Sequence, residues 1–335
     1  MSMKKLVIVA VLVVSMAGVL FAGGAREAAP AAQDGALRIA VVMPSATNDM
    51  AFSESMWSAL VKVQAEMGGE SALRLAYSEN MFVVPDAAGA IRDYASQGYD
   101  IVIGHGSQYG SSIQDIAPDF PDTVFAWGTD VNTFGLPNVY AYTAAAEQGG
   151  YVNGVLAAKM SRSGRVGVTG PVEVGDAKTY IDGFENGVRS TDASINISKS
   201  WTGSFSDVAA MTAAATTHIA NGADALTGSS QSVVGSVGVA RESSGVLWFG
   251  TQSDQTGLAP ELVVASQIYD WTGMLREIIA NRQAGRLGGE SYILTFANDG
   301  LKMSFNPGID IPADAMNAAR AAIEGIKSGQ IKALP

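Results

Sequence analysis

The chain contains no cysteine, which excludes disulfides, thiolate-held zinc, a thiol nucleophile and the thioether lipid anchor of a bacterial lipoprotein. It has only two histidines, His105 and His218, far apart in sequence, so a histidine-rich metal centre is not expected either. Charge is sparse: 16% of residues are charged against 47% apolar, and the balance is acidic, −11 for the full chain. No cluster of Lys and Arg stands out. That argues against a nucleic-acid partner, because phosphate binding needs concentrated positive charge. The apolar fraction makes the chain globular rather than disordered.

What is present begins at the amino terminus, where Lys4 and Lys5 precede an apolar run from Leu6 to Val14 that continues through small residues to Ala22. That is the layout of a secretory signal, and the run is short against the roughly 20 residues of a bilayer-spanning helix. Residues 1–25 are expected as a signal peptide, although retention as an anchor stays open. Residues 26–36, rich in Ala and Pro, are expected as a flexible tether. Losing Lys4 and Lys5 with the signal moves the net charge from −11 to −13. The expected product is an unlipidated protein outside the cytoplasm.

The remaining chain favours two domains. Short apolar runs alternate with stretches of helical period, starting with a strand at Leu37–Met43 and a helix at Phe52–Met67. Strands are expected again at 73–77, 101–104, 123–127 and 139–142, with helices between them. The rhythm then restarts with a helix at 145–160 and alternates as far as a strand at 262–267, a helix at 269–283 and a last helix at 312–327. Such βαβ rhythm predicts α/β architecture, with parallel sheets covered on both faces.

In open parallel sheets ligands bind beyond the carboxyl ends of the strands. Those positions are rich in polar and aromatic residues, among them Asn48, Asp49, Phe52, Trp127, Asp130, Trp201, Phe205, Gln231, Gln252 and Asp254. Aromatics at both mouths suit a planar ring, with carboxylates and amides reading its edges; at any one position packing is an equal alternative. Gly104 to Gly110, spaced G-x-G-x-x-x-G, imitates a dinucleotide loop but sits in a later βα unit, so tight-turn glycines are the favoured reading. Gly228 to Ser232 reads G-S-S-Q-S and lacks the second glycine of a nucleophile elbow. No catalytic constellation assembles, and no cofactor is expected.

Several short motifs, in order and spacing, resemble the basic membrane protein family of ABC importer receptors, whose best-known members bind purine nucleosides. They are Asp49-Met50-Ala51-Phe52, Glu147-Gln148-Gly149-Gly150, Val166 to Gly170, Gly183-Phe184 with Gly187, Gly203 to Asp207, Gly222 to Asp224 and Ser253-Asp254-Gln255. The resemblance runs from about Leu37 to Pro335. It implies a type I periplasmic binding protein, two doubly wound lobes joined by a hinge, with 37–142 and 262–290 in the first lobe and 143–261 and 291–335 in the second. It implies a purine nucleoside or nucleobase in the cleft, an ABC permease and its ATPase as partners, a monomer, and no enzymatic activity.

By the same resemblance Asp49 is an edge acceptor and Phe52 and Phe205 stack on the base, with Trp57 and Trp201 as substitutes. Gly170 allows close backbone approach, and Asp130 and Asp254 are polar contacts. Two positions depart from the nucleoside receptors' pattern: Gln252 stands where they carry an acid, and Tyr269 where they carry a lysine. An acid and a base that would grip a ribose are thus missing. A free nucleobase or a flavin remains open as the ligand, as does a sensory role in place of transport.

Overall fold

The computed structural model describes residues 26–27 and 35–334. The expected signal peptide lies outside these residues, as does most of the expected tether. In chain order the first elements are β1 (Arg26–Glu27), β2 (Leu37–Val42), α1 (Phe52–Glu66), β3 (Leu73–Ser78), α2 (Val84–Ser96), β4 (Ile101–His105), α3 (Gly110–Ile116), β5 (Val124–Gly128) and β6 (Val139–Ala144). The second series is α4 (Glu147–Met160), β7 (Arg165–Gly170), α5 (Gly175–Thr191), β8 (Asn196–Trp201), α6 (Val208–Ala220), β9 (Ala225–Gly228), α7 (Val233–Glu242), β10 (Leu247–Gly250) and β11 (Val263–Tyr269). The chain closes with α8 (Thr272–Gln283), β12 (Ser291–Leu294), β13 (Leu301–Phe305) and α9 (Ala313–Lys327).

Two sheets result, ordered β1-β3-β2-β4-β5-β6-β12 and β13-β11-β10-β9-β7-β8. All pairs are parallel except those of β1 with β3 and β13 with β11. In the first sheet Ile39 stands opposite Ile101, and Ile101 opposite Val124. Ile39 and Val41 face a core shared with α1, while Ala40 and Val42 face one shared with α2 and α3. Burial on both faces is why β4 reads as an unbroken run and is buried at every position. Helix α2 forms because Pro85 and Asp86 suit its first turn and Ala87, Ala90, Ile91 and Tyr94 repeat on one buried stripe.

The carboxyl-terminal part, from β11 onward, departs from the expected division. Strand β11 hydrogen-bonds to β10 and belongs to the second sheet, whereas β12 pairs with β6 in the first. Helix α8 packs on α1, where Arg276 pairs with Glu66. The chain therefore passes between the lobes three times, around 145, 270 and 295–300. Strands β12 and β13 escaped the sequence pattern because they are short edge strands with few buried positions. Arg26 and Glu27, expected in the tether, pair with the edge of β3.

Helices α4 and α5 touch backbone to backbone. A Cβ at Gly150 or Gly154 would stand 2.2 or 2.1 Å from the carbonyl oxygens of Tyr180 and Phe184; at Gly183 or Gly187 it would stand 2.3 or 2.1 Å from those of Glu147 and Tyr151. These are glycines of the E-Q-x-G and G-F-x-x-G motifs and their helical neighbour. A methyl group there must push the helices apart. Gly187→Ala is expected to destabilise the protein by about 1–3 kcal/mol in urea unfolding. Gly238→Ala, in α7 with nothing near its Cβ, is expected to be neutral or stabilising by up to about 1 kcal/mol. Equal effects at the two sites would refute the contact.

Candidate functional site

Polar and aromatic side chains converge where the strands of both sheets end. The first lobe supplies Phe52 after β2, Phe82 after β3, Gly106 to Gln108 after β4 and Thr129 after β5. The second supplies Val174 to Asp176 after β7, Phe205 after β8, Gln231 after β9 and Gln252 after β10. The walls enclose about 410 Å3 counting the opening to solvent, of which about 30 Å3 admits the centre of a water molecule. The lobes thus stand close together.

Phe52 is held from behind. Its ring stacks on His105 at 3.8 Å and 9°, and His105 stacks in turn on Tyr142. The Phe52 carbonyl accepts from His105 Nε2 at 3.0 Å and from the Ser55 hydroxyl at 2.6 Å. Since a carbonyl can only accept, Nε2 carries the proton and Nδ1 accepts from the Tyr142 hydroxyl at 2.9 Å. Trp271 Nε1 donates to Ser55 Oγ. Complete burial pushes the His105 pKa down to about 3, so the ring is neutral.

Phe205 is anchored through its backbone. The hydroxyls of Ser230 and Ser232 donate to its carbonyl at 2.9 and 3.1 Å, which gives the G-S-S-Q-S stretch a structural role. From the same stretch Gln231 lines the cleft with a buried amide oxygen that has no protein partner.

Asp176 is the one ionisable side chain on the cleft wall among the described residues. It lies in the first turn of α5, receives Thr129 Oγ1 from the other lobe on Oδ1 and the Tyr269 hydroxyl on Oδ2, each at 3.1 Å, and faces the Gln252 amide. Burial raises its pKa above the ordinary carboxylate value, opposed by these hydrogen bonds. Gln252 has a left-handed backbone, φ +75°, fixed in part by the bond from Tyr269 N to its carbonyl. Two more bonds cross between the lobes beside the cleft: Ser253 Oγ to the Ala51 carbonyl, 2.7 Å, and Gln255 Nε2 to the Met50 carbonyl, 3.2 Å.

Of the residues singled out in the sequence, Phe52, Phe205, Gln231 and Gln252 stand on the cleft wall. Tyr269 stands just behind it, buried, with its hydroxyl on Asp176. The other residues lie off the wall. Asp49 caps α1, accepting from the backbone N–H groups of Ala51, Ser53 and Glu54. Asp130 folds its own loop through Val131 N and Asn132 N. Asp254 accepts from Thr256 N and Ser304 Oγ. Trp57 packs on Tyr77, and Gly170 makes room for the Trp201 ring, which a Cβ there would meet at 2.1 Å. In the glycine loop, Gly110 lies under the Trp127 ring and Gly104 against Ile113, so packing accounts for both. Asp176 was not singled out, whereas Gln108 lies within the Gly104 to Gly110 stretch and Thr129 between Trp127 and Asp130, both at strand ends.

The profile described as ABC transporter substrate-binding protein, PnrA-like, matches residues 36–327. The chain belongs to that family. This PnrA-like protein is 27% identical over 255 residues to a purine-binding protein of Brucella abortus (strain 2308), covering 76% of this chain and 71% of that one. It is 27% identical over 215 residues to an ABC transporter nucleoside-binding protein of Lactococcus lactis subsp. cremoris (strain MG1363), covering 62% and 60%. A solved ABC transporter solute-binding protein from Conexibacter woesei DSM 14684 superposes with a TM-score of 0.73 over 90% of this chain and 99% of that one, at 22% identity. That likeness is one of fold. The two sheets with flanking helices are those of periplasmic-type solute-binding proteins of ABC transporters, as the motifs implied. No helix among the described residues is long and apolar enough to cross a membrane.

A histidine titrating near 3 when folded and near 6.5 when unfolded lets the unfolded chain take up the proton first. The stability His105 provides is complete above about 6.5 and falls as pH drops toward 3, by up to about 1.4 kcal/mol per unit. His105→Gln is expected to be less stable at neutral pH, with a deficit that narrows between about pH 7 and 5 in paired urea unfolding; the shared carboxylates cancel. A deficit independent of pH would show that His105 is not held neutral.

Proposed function

We propose that this PnrA-like protein is the extracytoplasmic receptor of an ABC importer, exported by its amino-terminal signal, and that its lobes close on a flat, uncharged aromatic ligand: a purine nucleoside or nucleobase. The observation that carries this reading is the pair of phenylalanines, Phe52 from one lobe and Phe205 from the other, on the walls of a single cleft. A ring between them gains contact with both lobes only on closure, and such differential contact is what drives a hinge shut. The relatives named for purine and nucleoside binding agree with it.

The electrostatics narrow the class further. No Lys or Arg lines the cleft among the described residues, and Asp176 is an acid. A phosphate or carboxylate enclosed there would be a buried charge without a partner, at a cost of several kcal/mol. Nucleotides and amino acids are therefore poor ligands, while nucleosides and bases, neutral and rich in N–H donors, suit amide and carboxylate acceptors. Closure would present the loaded receptor to the permease and its ATPase.

Thermal-shift and calorimetric titration of the purified protein test this. A purine nucleoside or base is expected to stabilise it by about 2.7 kcal/mol at 100 times Kd, with no response to the corresponding monophosphates. Phe52→Ala and Phe205→Ala should each weaken binding at least about tenfold, or about 1.4 kcal/mol. A response confined to flavins, sugars or amino acids would discard the purine assignment.

A further inference from the structure

We propose that Asp176, with the amide oxygen of Gln252 beside it, selects ligands that carry an exocyclic amino group. The inference rests on the purine reading above and names which purines the cleft prefers.

The acids expected near the ligand are committed to their own loops: Asp49, Asp130 and Asp254 hold backbone N–H groups. Asp176 replaces them from a different element, α5. Its carboxylate offers about four acceptor positions, and Thr129 and Tyr269 account for two. The remaining acceptor capacity belongs to a residue on the cleft wall. Gln252 lines the same wall and ends in the amide oxygen Oε1. That oxygen is buried and has no protein partner, and Gln252 is only 4% exposed. Gln231 Oε1, also buried and unpartnered, lines the same cleft.

The cleft thus offers acceptors with no cation among them. An amino group brings two N–H donors to such a wall. A ligand with only hydrogen there leaves buried acceptors unpaired, and sites built to bond a group reject analogues that lack it. Tyr269 takes part indirectly: by donating to Oδ2 it orients the carboxylate, in the place where the family pattern has a lysine for the ligand.

Two ligand pairs isolate the amino group: guanosine against inosine, and adenosine against purine riboside, with the free bases run in parallel. In calorimetric titration of the whole protein, the amino member of at least one pair should bind about tenfold tighter or more. Asp176→Asn should bring that ratio below about threefold by weakening the amino-bearing member. Gln252→Met, which removes the amide oxygen at similar length, should lower the ratio as well. Wild-type ratios below about threefold in both pairs overturn the inference without any variant, and so does an Asp176→Asn protein that keeps the wild-type preference. Binding of no purine by the folded wild type overturns the purine reading and this inference together, whereas equal binding of all four nucleosides overturns this one alone.

Discussion

The backbone contact between α4 and α5 is the constraint on which the cleft depends. Helix α4 is the first element after the chain leaves the first lobe, and glycines let it lie directly on the carbonyls of α5. With no side chains between them, the two helices have little freedom to slide, since close-packed interiors adjust poorly to added volume. The start of α5, and Asp176 with it, is thereby fixed relative to the crossover. The same helix fixes the end of β10, because Asn153 Nδ2 donates to the Gly250 carbonyl at 2.8 Å and to the Tyr180 hydroxyl at 2.9 Å. Gln267 lies against Gly149 and bonds both the Ala146 carbonyl and the Thr251 hydroxyl. Asp176 and Gln252 owe their proximity to this spine.

Much of this was legible in the sequence, for reasons now visible. The apolar runs of β4 and β5 announced strands buried on both faces, and the motifs around Gly150 and Gly183 marked positions where only glycine fits. The paired phenylalanines could be found because an aromatic just past a strand end is conspicuous. Asp176 could not be found in the same way. Its partners Thr129 and Tyr269 lie 47 and 93 residues away, and an Asp at the start of a helix reads as an ordinary first-turn acid. The converse ambiguity has the same origin. Asp49 and Asp254 also follow strands and precede helical turns, and an acid there serves equally well as a cap or as a ligand contact. Only the arrangement of backbone N–H groups around each carboxylate tells the two apart. The lobe division was missed at β11 because a strand and the helix after it give no sign, in one dimension, that they belong to different sheets.

The Phe52 assembly has a consequence for the sequence of events during capture. Trp271 lies in the segment that joins β11 of the second lobe to α8 of the first, and its indole nitrogen reaches Ser55, which bonds the Phe52 carbonyl. With His105 and Tyr142 behind it, the ring is braced by groups that belong to its own lobe or to the pivot itself. Opening the lobes therefore leaves this face assembled, while Phe205 and Asp176 travel away with the other half. On the function proposed above, the first lobe would be a landing surface that meets an incoming molecule ready-made, and the second would decide how long the molecule stays. In kinetic language the encounter rate would be written mainly into one half of the protein and the residence time into the other.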